Sequence, residues 1–161
     1  MEGACGRIIT TEDPNVVIKK VYHRNRAQQR SCSLRAEEQA RMQEWARSIC
    51  VKAGLELLFV PRAWDAEKHS YKMDRIQVDK PLELTDVKGH AVLEELKAFY
   101  AAAMAASVFP ADYELYIQPD GKIAMVDFDK FASWKDGTIT FPWGASMKDT
   151  VVREQYPFLF A

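Results

Sequence analysis

Apolar and polar positions alternate, cluster and then change period along the chain. Arg7 to Thr11 reads as a strand. Glu12-Asp13-Pro14-Asn15 has turn composition, and Val16 to Tyr22 is β-branched and aromatic, so the two strands form a hairpin. Arg24 to Arg30 is basic and polar, a loop. Ser31 or Ser33 caps a helix running to about Ala53, with Leu34, Met42, Trp45 and Ile49 on one face and Gly54 as its stop. Leu55 to Val60, closed by Pro61, reads as a strand. Trp64 to Lys68 reads as a turn, and His69 to Ile76 as another strand. Val78 to Asp86 is extended or irregular.

Helical spacing returns over Val87 to Val108, through Leu93, Leu96, Tyr100, Met104 and Val108, and Pro110 ends it. Glu114 to Gln118 and Lys122 to Asp127 flank a Pro-Asp-Gly turn and predict a second hairpin. The tail holds Trp134, Phe141, Trp143 and Tyr156-Pro-Phe-Leu-Phe, with one short helix near Ser146 to Glu154. The order strands, helix, strands, helix, hairpin predicts an α+β fold rather than a parallel α/β alternation.

With 161 residues the chain is one domain by length, and 48% apolar with 28% charged residues excludes a disordered composition. A net charge of −1 gives no reason to expect nucleic acid or an anionic membrane surface as a partner. Cys5, Cys32 and Cys50 are an odd, sparse set, which speaks against a disulfide framework and for a reducing compartment. His23, His69 and His90 are not spaced as ligands to one metal. Met1 to Thr11 has no apolar core of a signal peptide, and the richest apolar run, Ala98 to Phe109, is too short to span a bilayer. A cytoplasmic, or at least intracellular, location is expected.

Three features suggest chemistry. Met125-Val126-Asp127-Phe128-Asp129-Lys130 puts an acid at the end of an apolar strand, where a rigid carboxylate suits Mg²⁺; solvated acids closing a strand are the plainer alternative. Lys19 follows Val16-Val17-Ile18 inside a strand. It is either a solubilising charge or an inner-face ammonium needing a carboxylate or phosphate, for which Glu38, or Glu37 in its place, is available on the next helix. Gly3 and Gly6 precede the first strand and would let backbone N–H groups approach phosphates, or are an ordinary chain start.

Taken in order, these residues resemble a protein kinase. Gly6-Arg7-Ile8 is similar to the end of a glycine-rich loop and Val16-Val17-Ile18-Lys19 to the Val-Ala-Ile-Lys strand. Glu38 stands where the paired helix Glu belongs, and Tyr71 to Ile76 resembles the strand entering the hinge. Asp120 to Asp129 resembles the hairpin that ends in Asp-Phe-Gly. The Asp-Phe-Asp variant is closer to lipopolysaccharide and small-molecule kinase-like branches. The resemblance covers residues 3 to 131 and implies an N-lobe-like part over 1–76 and a reduced C-lobe-like part over 77–161. It also implies ATP between the lobes, its phosphates held by Lys19, with Glu38 orienting Lys19 and Asp127 binding Mg²⁺.

The chain departs from that family as well. No His-Arg-Asp occurs; kinase spacing puts the catalytic Asp position on Phe109 and the Asn position on Glu114. Asp112 either serves from a shortened loop or caps the hairpin. Glu114 either replaces Asn as a metal ligand or faces water. Only 32 residues follow Asp129, without Ala-Pro-Glu, so the usual peptide-docking helices are missing. Two functions fit: a minimal ATP- and Mg²⁺-dependent phosphotransferase acting on a small molecule or a protein, or an inactive pseudokinase that binds a protein partner. An unrelated α+β domain is the third alternative.

Overall fold

The structure, a computed structural model, describes residues 6–21 and 34–161. Gly3, the basic stretch 24–30 and the serine caps fall outside that range. Among the described residues the architecture is α+β, with three small sheets and few helices.

Strands β1 (Gly6–Thr10) and β2 (Val16–Val21) form the first hairpin, in the register Ile8 to Lys19 and Thr10 to Val17. Its turn is closed by side chains: the Thr11 hydroxyl donates to the carbonyls of Asp13 and Val16, and the Asp13 carboxylate accepts from the Asn15 amide. β2 then pairs with β5 (Ser70–Asp74), and β5 with β4 (Ala63–Trp64), giving an antiparallel sheet of order β1-β2-β5-β4. Alternation along β2 buries Val17 and Val21 on one face and leaves Lys20 exposed on the other.

Helix α1 (Ala36–Lys52) covers the buried face, but with a different stripe from the one the large apolar residues suggest. Its buried positions are Ala36, Gln39, Ala40, Gln43, Ala46 and Cys50, which keep helical spacing. Small residues let the helix approach the sheet closely, and Met42, Trp45 and Ile49 lie half-buried on its flank against the larger core. α1 also joins two apolar clusters. Ala36 and Ala40 pack with Val17, Val21, Ala63, Tyr71 and Met73, while Ala46 and Cys50 belong to the cluster formed by the rest of the chain.

The second sheet has the order β3-β9-β8-β6. The predicted hairpin is present as β8 (Glu114–Ile117) and β9 (Ile123–Val126), and β6 (Lys80–Pro81) extends it. The run Leu55 to Val60 contributes only β3 (Leu58–Phe59), parallel to β9. β3 is fixed by Glu95, whose carboxylate accepts the backbone N–H of Leu57 at 2.9 Å and of Leu58 at 3.0 Å. Charge-assisted bonds to otherwise orphaned amides are strong. Glu95→Ala is therefore expected to lower stability by about 2–3 kcal/mol in urea unfolding.

The long helix expected over Val87 to Val108 is two elements. A 3₁₀ segment, Leu84–Gly89, is followed by α2 (Leu93–Ala105), because His90 interrupts the chain in an extended conformation and its Nδ1 caps the Val92 amide. Pro110 does not end the helix; it is already closed at Ala106, and Ser107 takes φ 63. The tail also differs from expectation. It builds a sheet of order β12-β11-β10-β7 from Ser146–Lys148 (β12), Thr138–Thr140 (β11), Ala132–Lys135 (β10) and Val108–Phe109 (β7), followed by the short helix α3 (Thr150–Gln155). No described helix is long and apolar enough to cross a membrane.

Candidate functional site

Lys19 points to the inner face of the first sheet. It sits between Ile8 on β1 and Tyr71 on β5, on the same face as buried Val17 and Val21. An aliphatic stem packs well there, but the ammonium has to meet a negative group. That group is Asp127, 108 positions later: Nζ lies 3.4 Å from Oδ1, with Lys19 at 13% and Asp127 at 36% side-chain exposure. The two side chains that the sequence reading set together therefore meet in the fold.

The local backbone explains how Asp127 reaches it. On β9, Ile123 and Met125 are buried in the larger core, while Val126 packs against the cluster under the first sheet. One residue on, Asp127 takes φ 75, a left-handed conformation that Asp tolerates better than most residues. The strand thus ends and the carboxylate is presented at the seam between the two clusters. Phe128, fully buried with its ring 5.0 Å from that of Phe131, anchors the next step, and Asp129 is buried beside it. Asp65, Asp112 and Asp136 also have positive φ, so the conformation alone marks nothing. Asp127 differs in forming an ion pair across two sheets.

Burial alone would depress the Lys19 pKa, yet Tyr71, Asp127 and Asp129 reverse the sign and keep the ammonium charged well above its ordinary value. Tyr71, whose ring centroid is 6.0 Å from Nζ, is held neutral by burial above its usual range. Its hydroxyl donates to Gln43 Oε1 at 3.3 Å, and Gln43 Nε2 donates to the Pro61 carbonyl at 2.9 Å. α1 is therefore tied to the neighbour of Lys19 by a glutamine rather than by a glutamate.

The expected Lys19–Glu38 pair is not formed. Glu38 is one position off the buried stripe, about 100° around the helix, and is half-exposed; Gln39 takes the inward place. Gln39 Nε2 donates to the Leu34 carbonyl, and its buried Oε1 has no hydrogen-bond partner among the described residues. Gly6 is a strand residue opposite Val21, away from the Ile8–Lys19–Tyr71 row.

Glu114 opens β8 directly across from Val126, beside Asp127, and its carboxylate accepts the Tyr116 hydroxyl at 2.8 Å. Burial pushes the Tyr116 phenol up, with the charges of Glu114 and Asp127 adding to it, so these groups share one electrostatic neighbourhood. Asp112 is exposed and paired with Lys130, which follows the Asp-Phe-Asp run. Phe109, at the position kinase spacing assigns to a catalytic Asp, is a core residue with 2% exposure. Among the described residues, no group of three or more His, Cys, Asp and Glu side chains forms a ready metal cage.

Tyr71, Gln43 and Asp129 are the site residues that sequence reasoning missed. The Gln39/Gln43 pair, four apart within an alanine stripe, was the available signal for the first two.

No known protein family matches the chain, and no curated protein matches its sequence. Among solved structures, the complex of Rv3197 with erythromycin from Mycobacterium tuberculosis is similar at a TM-score of 0.45 and 12% identity. The match covers 88% of this chain and 45% of that one, so the chain spans less than half of its length. A likeness of that size assigns neither fold nor function.

Proposed function

We propose that the protein is a minimal kinase-like domain that binds ATP with Mg²⁺ at the Lys19–Asp127 seam and transfers phosphate to a small molecule or a protein. The observation that carries this reading is the inner-face ammonium held 3.4 Å from a half-exposed carboxylate of another sheet. A tight charge-assisted N–H···O bond is about 2.7–2.9 Å long, so this pair is longer than an optimal one, and the Lys19 ammonium has further N–H donors to offer a phosphate oxygen. The donor set fits the ligands: Mg²⁺ takes one or two carboxylates together with phosphate oxygens, and a lysine serves phosphate as a point charge. Asp127 would be the principal metal ligand, with exposed Glu114 beside it, and Lys19 would hold phosphate oxygens. Tyr71 and Gln43 fix the Lys19 stem in the role that the family gives to a helix glutamate. Bound Mg²⁺ would neutralise charge on the phosphates. One apolar cluster lies under the first sheet, and the larger one takes in Ala46, Cys50, Leu58 and Val60 as well as the later residues, so a two-lobed reading with its border near residue 76 finds its N-lobe only in the first sheet and the start of α1.

The second reading, a pseudokinase acting as a protein-binding module, is favoured by Phe109. A buried phenylalanine cannot position a hydroxyl nucleophile, and Asp112, the nearest acid, is engaged by Lys130.

Thermal unfolding with Mg·ATP tests the shared part of both readings. At 100 times the dissociation constant the ligand should add about 2.7 kcal/mol, and chelating the metal should remove most of it. No shift at millimolar Mg·ATP overturns the nucleotide site. A clear shift without any ATP turnover selects the inactive module.

A further inference from the structure

Next to the seam lies a cavity of about 500 Å³ whose lining shares only Glu114 with the nucleotide reading. Its size is that of a small-molecule site. Aromatic rings supply much of its wall: Tyr100, Phe109, Tyr113, Tyr116, Phe141 and Tyr156. Three carboxylates, Glu83, Asp112 and Glu114, stand on the same lining, and among the described residues no Lys, Arg or His does. Asp112 has its charge met by Lys130 from outside the lining. Among the described residues, Glu114 accepts a neutral phenol and no ion pair reaches Glu114 or Glu83. The Tyr100 and Tyr113 hydroxyls are bonded to each other at 2.7 Å, so these two tyrosines bring no charge and the potential of the lining is set by the acids.

Aromatic faces attract cations through their negative π-surfaces, and uncancelled carboxylates add to that attraction while repelling phosphates and other anions. We propose that this cavity binds a small organic ammonium compound, its cationic head held between the aromatic wall and the Glu83 and Glu114 carboxylates. The cavity meets the Lys19–Asp127 site at Glu114, which faces Val126 across the β8–β9 ladder. Lys19 and Asp127 lie off the cavity lining, whereas Glu83 and Glu114 lie on it. That the compound is a second ligand of the nucleotide site rests on the reading above; its binding does not.

The probe is choline, compared with its uncharged carbon isostere dimethylbutanol, read by saturation-transfer NMR and a competition-free titration on the full chain. Choline should bind about tenfold more tightly than the isostere, and Glu83→Gln with Glu114→Gln should weaken choline about tenfold without changing dimethylbutanol. Lys19→Met should leave choline binding as it is. Equal binding of the two compounds, no transfer to the choline methyls at millimolar concentration, or unchanged choline binding in the double variant overturns the proposal. Choline binding that persists where Mg·ATP gives no thermal shift sinks the nucleotide reading and leaves the cavity standing; the opposite pattern does the reverse.

Discussion

Lys19→Met should leave the ligand-free protein at least as stable as wild type, whereas Asp127→Asn should destabilise it by about 1–3 kcal/mol. The asymmetry follows from burial. Lys19 lies among Val17, Val21 and Tyr71, where a methionine of similar shape packs without a charge to desolvate. Removing its carboxylate partner instead leaves a mostly buried ammonium facing Asp129 and the Tyr71 ring. The penalty is below that of a fully buried pair, since Asp127 is 36% exposed and water can replace part of the contact. Asn is the informative substitute because it tolerates the φ of 75; Ala there would add backbone strain of about 1 kcal/mol. In urea unfolding, the double variant should recover most of the Asp127→Asn loss. Two single variants of equal and additive cost would mean that the two side chains do not interact.

The second large effect is alkaline unfolding. Tyr71, Tyr100, Tyr113 and Tyr116 are all held neutral above the ordinary phenol range, in each case chiefly by burial. Cys50 is pushed up to about 12 by burial, with Glu95 adding to it. Above pH 10 the unfolded chain has released these phenolic protons while the folded chain keeps them. The folded state then binds more protons, and stability falls as pH rises. Lys19 acts in the same direction, since its raised pKa gives a contribution that is complete below its unfolded value and lost above it. Each fully protected group steepens the fall by about 1.4 kcal/mol per pH unit. Urea unfolding should be flat from pH 7 to 8.5 and drop steeply above about pH 10, with phenolate absorbance appearing in step with loss of structure. Phenolate from more than two of the six tyrosines appearing at its ordinary pH in a chain that stays folded would show that these four rings are not buried as described.

Both hairpins were legible in the sequence because turn chemistry and strand composition agree there: Pro14-Asn15 between β-branched runs, and Asp120-Gly121 between Glu114 to Ile117 and Ile123 to Val126. Lys19 and Asp127 were legible for another reason, each being a charge placed where an apolar run has no evident use for one. The stripe of α1 was not. Ala36, Ala40 and Ala46 carry little hydrophobic signal, and two inward glutamines read as surface residues, so Met42 and Trp45 drew attention to the flank and Glu38 with them. The carboxy-terminal sheet was missed because strands of three or four residues, rich in Ser, Thr and Lys, are too short to show a period. The break at His90 depends on a side chain capping its own backbone, which periodicity does not detect. Nothing in the sequence marks Glu95, whose carboxylate accepts the amides of Leu57 and Leu58, 38 and 37 positions earlier.

Titration calorimetry of Mg·ATP into wild type, Lys19→Met and Asp127→Asn addresses the seam most directly. Wild type should bind with a measurable heat that depends on Mg²⁺. Lys19→Met should weaken binding at least about tenfold while staying folded, and Asp127→Asn should weaken it mainly when Mg²⁺ is present. Binding that is unchanged in both variants would place the nucleotide elsewhere and leave the Lys19–Asp127 pair as a structural ion pair.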